Sequence, residues 1–158
     1  MGKDWIERLA RQEVSIEETG QLDLYNKEDE KKYIEELTDQ FLNDLRREFT
    51  SCINSFNAYR GEQRNTIKIY GIQGTPSDFL VFRNSLKLIV SKERPGTIGL
   101  SFTSLRGGLK SARDKAGDYI EMSIGPFNDG IWKFKGSQVT TQSVVRYYLT
   151  EFIRNSLN

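Results

Sequence analysis

Hydrophobic positions recur along this chain with two different periods, and the change between them falls near Gly61. Residues 3–14 place Trp5, Ile6, Leu9 and Val14 at helical spacing with Lys3, Asp4, Glu7, Arg8 and Arg11 between them, the pattern of a short amphipathic helix. Residues 15–27 lose that period, contain Gly20 and read as a connector. From Lys27 the steps of three and four return through Tyr33, Ile34, Leu37, Phe41, Leu42, Leu45, Phe49, Cys52, Ile53 and Phe56, with no Pro or Gly between them. This predicts a helix over about 27–57, ended near Gly61. At ~1.5 Å per residue it would be roughly 45 Å long, more than is needed to cover a sheet in a domain of this size. Its N-terminal part, with Tyr33, Ile34 and Leu37, is therefore expected to project.

After Gly61 the period shortens to two and β-branched and aromatic residues take over, which predicts strands at 66–72, 79–83, 86–91, 97–103, 119–124 and 131–135. Gly74-Thr75-Pro76-Ser77, Asn84-Ser85, Pro95-Gly96 and Asn128-Asp129-Gly130 supply turn chemistry in the gaps. Short connections favour antiparallel neighbours in sequence order, so the expected sheet is a meander of five to six strands. Leu86, Leu88, Val90, Ile98, Leu100, Phe102, Ile120, Met122, Ile124, Trp132 and Phe134 fall on its inward face, and Lys87, Ser101, Thr103, Glu121, Lys133 and Lys135 alternate outward. Helical spacing resumes in Val144, Val145, Tyr148, Leu149, Phe152, Ile153 and Leu157, after Ser137, Thr140 or Thr141 as N-cap. The fold class is thus α+β: an antiparallel sheet with a long N-terminal helix and a C-terminal helix packed on it. Residues 1–26 form an N-terminal amphipathic arm and 27–158 a single domain.

Composition adds exclusions. The 158 residues are 37% hydrophobic and 28% charged, enough to bury a core without staples. There is no His and one Cys, Cys52, so a His/Cys zinc site, a Ser-His-Asp triad and a Cys-His dyad are all excluded. No apolar run approaches a membrane span, residues 2–6 do not fit a myristoylation signal, and no Asn stands at glycosylation spacing. A cytoplasmic protein is expected. The net charge of +1 conceals an asymmetry: residues 1–62 hold nine Lys/Arg against fifteen Asp/Glu, and residues 63–158 hold fourteen against seven. An acidic helical layer lying on a basic sheet layer accounts for this, as do two surfaces offered to different partners.

Four features could carry chemistry. The segment 104–117 is the longest gap between strands, and in it Gly107 and Gly108 would let backbone amides approach an anion while Arg106, Lys110, Arg113 and Lys115 close on it. It lacks the glycines of a phosphate-binding P-loop, and charge alone would also explain it as a solvated loop. Tyr70, Phe82 and Tyr119 could present rings among Lys68, Lys87, Lys133 and Lys135, as sheets that bind single strands do. The simpler reading is that Tyr70, Leu80, Phe82 and Ile89 form a second apolar stripe covered by the long helix. The acids of that helix interleave with Lys and Arg, the pattern of a solvated face. Cys52 lies on the apolar stripe and reads as a small buried hydrophobe.

No catalytic, cofactor or metal site emerges. The expectation is a non-catalytic protein-binding module, regulatory or adaptor in kind, rather than an enzyme. It would act through its helical N-terminal region, with Trp5, Ile6, Leu9, Tyr33, Ile34 and Leu37 as the interaction surface, or through the sheet. The alternative is binding of nucleic acid or another polyanion through the basic second half and the loop 104–117. Another protein is thus the first expected partner. The uncovered apolar end of the long helix also admits a homodimer through helix pairing, or fold-back of the N-terminal arm.

Overall fold

A computed structural model describes residues 3–20, 27–61, 65–104 and 117–157; for Lys27, Glu28 and Asp29 it describes the helix but not the side chains. The chain divides into two units, Met1–Glu30 and Lys31–Asn158. The first contains helix α1, Asp4–Thr19, which buries none of its residues and leaves Trp5, Ile6, Leu9 and Val14 exposed. It runs five residues past the predicted amphipathic stretch because nothing in Ser15–Thr19 breaks a helix. It stops at Gly20, whose left-handed φ of 68° lets its N–H close on the Ile16 carbonyl at 2.7 Å.

Helix α2 spans Lys27–Arg60 and ends at Gly61, again left-handed with φ 69°. The sheet follows: β1 Lys68–Gly71, β2 Phe79–Arg83, β3 Leu86–Arg94, β4 Thr97–Ser104, β5 Asp118–Ile124, β6 Gly130–Phe134 and β7 Ser137–Gln138. All pairings are antiparallel and the order is sequential from β1 to β7, so the sheet is the expected meander. Among the described residues it has seven strands rather than five to six. The additional β7 is two residues long, too short to show a period, and is set by the turn at Lys135 and Gly136, whose φ values of 51° and 84° fold the chain back onto β6. Helix α3, Thr141–Asn155, closes the chain. Thr140 is its N-cap, and the Thr140 and Ser143 side chains each accept from the other's backbone N–H at 3.1 and 3.0 Å.

The two helices of the Lys31–Asn158 unit lie on the same face of the sheet. Phe79, Val90 and Leu100 are successive partners across β2, β3 and β4, and Phe102 stands two residues on from Leu100, so the four share one face. Phe49 of α2 meets Phe79 edge to face at 5.7 Å between centroids, and Tyr148 of α3 stacks on Phe102 at 6.1 Å. Leu42, Leu45 and Ile53 of α2, with Val145, Leu149 and Phe152 of α3, complete one core with Val81, Leu88, Ile98, Ile120 and Trp132. Ile124, expected inside, is exposed at the end of β5.

Nor does α2 project from Tyr33 onward. The Tyr33 hydroxyl donates to the Asn128 carbonyl, and Thr38 Oγ1 accepts from the Gly96 N–H at 2.8 Å. Lys92 pairs with Asp39 at 2.9 Å, Phe41 stacks on Trp132 at 4.5 Å, and further along the Asn57 side chain bonds both backbone groups of Ile67 at 3.0 Å. The helix thus crosses from the β3–β4 and β5–β6 hairpins to the approach of β1. Its length is used up by a diagonal path over the strands.

Candidate binding surface

With both helices on one side, the alternate side chains of the strands form a second face. The register sets them in rows across β1, β2 and β3: Lys68 opposite Phe82 opposite Lys87, and beside it Tyr70 opposite Leu80 opposite Ile89. Lys87 and Ile89 continue to Thr103 and Ser101 of β4, and further across the same face Tyr119 of β5 lies opposite Gly99. Tyr70 and Tyr119 are 49% and 51% exposed, while Leu80, Phe82 and Ile89 are half-buried. This overturns the reading in which the long helix covers Tyr70, Leu80, Phe82 and Ile89: α2 packs on the opposite face, where Phe79, Val81, Leu88 and Val90 join Ile98, Leu100 and Ile120 in one buried core.

The open face is electrically uneven. Over β1, β2 and the first half of β3 its charges are Lys68 and Lys87, neither of which is ion-paired among the described residues. Its acids stand apart: Glu93, at the far end of β3, accepts the Ser91 hydroxyl at 3.2 Å, and Glu121 faces Thr97 and Lys133. Lys135 lies over its neighbour Phe134, 5.3 Å from the ring centroid, and not among the tyrosines as expected.

The predicted site residues fare differently. Arg106, Gly107, Gly108, Lys110, Arg113 and Lys115 lie outside the described residues. Trp5, Ile6 and Leu9 are exposed on α1. Tyr33, Ile34 and Leu37 are half-buried; a β-carbon placed on Gly96 or Gly130 would fall 3.5 Å from Ile34 and 3.4 Å from Leu37, so these side chains rest on the hairpin backbones. Cys52 packs against the core, and burial together with the adjacent Glu48 carboxylate pushes its thiol pKa up, away from the thiolate a nucleophile needs. Among the described residues no group of three or more acids and thiols converges as a metal site. Nor is any described helix long and apolar enough to cross a membrane.

One residue went unnoticed in the sequence. Arg83 ends β2 on the core face and is only 3% exposed, and among the described residues its Nε and Nη1 have no hydrogen-bond partner. Phe56 of α2 lies against the guanidinium, 5.6 Å from ring centroid to Cζ. Burial first, and the nearby Arg60 charge second, lower its pKa, yet an arginine remains charged under any ordinary condition. Period-two alternation from Phe79 and Val81 already places Arg83 inward, so the signal was present. The adjacent Asn84 donates to the Ser156 carbonyl at 2.7 Å, which brings the end of α3 to the same hairpin.

Compared with known protein families, with curated proteins and with solved structures, the chain matches none.

Proposed function

We propose that this chain is a non-catalytic binding module whose working surface is the open face of its sheet. The observation that carries the reading is the asymmetry of cover: α2 and α3 both pack on one face, while the other presents half-exposed rings and unpaired lysines over β1–β3. A soluble domain gains nothing from holding aromatic and aliphatic groups at a water-facing surface unless something meets them there. The chemistry favours binding over catalysis, since the chain has no His to move protons near neutral pH and its one thiol is held protonated. Regulatory or adaptor roles are of this kind, a partner being recognised and nothing being turned over.

The test is comparative capture from extracts of the native host, with the intact chain and with a Tyr70→Glu/Ile89→Glu variant, after circular dichroism and melting show the two equally folded. Both substitutions put a charge on the open face and leave the core face alone. Components held by the intact chain are expected to be lost with the variant. Equal capture by both would remove this face as the working surface.

A further inference from the structure

We propose that the β1–β3 part of the open face is a stacking platform for single-stranded nucleic acid. The inference rests on the reading of that face as the working surface and assigns it a ligand. The row Lys68–Phe82–Lys87 sets one ring between two cations on neighbouring strands, and the next row brings Tyr70, half-exposed, alongside Leu80 and Ile89. At about 4.8 Å between strands the two lysine α-carbons stand roughly 10 Å apart, on either side of the ring. A single strand offers two kinds of group at once, flat base faces and a phosphate for each nucleotide. Bases stack on rings without regard to sequence, and the lysines take the flanking phosphates.

Two other occupants fit less well. A protein docking here would enclose Lys68 and Lys87 within its footprint, and the centres of protein interfaces are depleted in lysine because an ammonium is costly to desolvate. A duplex keeps its base faces inside its own stack, so Phe82 and Tyr70 would have nothing to stack upon. The charge arrangement points the same way. Among the described strand residues no acid stands between Lys68 and Ile89 on this face; Glu93 lies beyond it at the end of β3 and Glu121 on β5. A strand laid across β1–β3 meets attraction along its path and repulsion where the platform ends.

The experiment is fluorescence anisotropy of a fluorescein-labelled 15-nucleotide pyrimidine oligomer, as DNA and as RNA, with the full-length chain, and with a duplex of the same length and heparin as competitors. Saturable binding of the single strand is expected, with duplex competing poorly. Phe82→Leu and Tyr70→Leu keep the apolar bulk and remove the ring; each should weaken binding about tenfold, the scale of one lost base stack. Lys68→Gln and Lys87→Gln should each lower the slope of log affinity against log salt by about 0.7, one phosphate contact apiece. Phe82→Tyr should restore binding. Absence of single-strand binding, or affinity unchanged by Phe82→Leu and Tyr70→Leu, would overturn the proposal, as would heparin and duplex competing as well as the single strand. If a protein is captured through Tyr70 and Ile89 while the oligomer fails to bind, the open face stands as a working surface and only the assigned ligand falls. If neither is held through this face, both readings fall together.

Discussion

Arg83 shows how a single side chain can run against the rule that organises everything around it. Its neighbours on the core face, Phe79, Val81, Leu86 and Leu88, are apolar and almost wholly buried, and it shares that burial with two nitrogen donors left unmatched among the described residues. Each orphaned donor costs about 1–3 kcal/mol. The ring of Phe56 returns about 0.5–2 kcal/mol. The balance is unfavourable, so Arg83→Met, which keeps the apolar stem and discards the charge, is expected to raise the free energy of unfolding by about 1 kcal/mol in urea titration. A loss of more than 2 kcal/mol would instead show that the charge has an anionic partner whose removal leaves something else unpaired.

At the scale of elements, the question is what pins each helix at its place on the sheet. For α3 the capping pair Thr140 and Ser143 sets the start, and Phe152, fully buried, anchors the other end. For α2 the pin is Thr38, whose hydroxyl donates to the Ile34 carbonyl at 2.6 Å and accepts the Gly96 N–H at 2.8 Å. Thr38 is wholly buried, so water cannot replace it. Thr38→Val keeps the shape and strips the acceptor, leaving the Gly96 N–H of the β3–β4 turn unsatisfied. The expected cost is about 1–3 kcal/mol in chemical denaturation. A cost below 0.5 kcal/mol, the range of a surface change, would mean that the helix is held there by apolar packing alone.

For the whole molecule, composition and burial together set the response to pH. Without His, no side chain of ordinary pKa titrates between pH 6 and 8, so the urea midpoint is expected to be flat there. Alkaline pH is different. Tyr148 is buried and its hydroxyl donates to Asp118 at 2.7 Å; burial first, then that hydrogen bond and the Asp118 charge, hold its proton far above the ordinary value. The unfolded chain releases the same proton near pH 10 while the native state keeps it. The unfolded state then binds fewer protons, and stability falls as pH rises past about 10, by at most ~1.4 kcal/mol per pH unit for this group. Cys52, also raised, starts its own decline lower, where an unfolded thiol ionises at about pH 8.5. Tyr148→Phe should remove the steeper part of the alkaline limb. An unchanged limb in that variant would show that the decline belongs to other groups.

Local order was legible in the residues alone. The 3.6 period of Tyr33 to Phe56 and of Val144 to Leu157 contains both helices of the larger unit, and the period of two with turn residues between contains six of the strands in their meander order. These follow from interactions a few residues apart, which a pattern records directly. Alternation also identified the core side chains of β3 and β4, because each strand must turn its apolar set one way. Three things were decided only in three dimensions. Both helices chose the same face, where Phe49 and Phe152 join the buried apolar residues of β2–β6 in one core; a stripe such as Tyr70, Leu80, Phe82 and Ile89 looks alike in sequence whether covered or open. Strand register then aligned Lys68, Phe82 and Lys87, residues up to nineteen positions apart, into the row that makes the candidate site. And the isolation of Arg83 came from what packs around it. Each depends on which surfaces meet after the elements have formed, and periodicity along one segment holds no record of the partner it will meet.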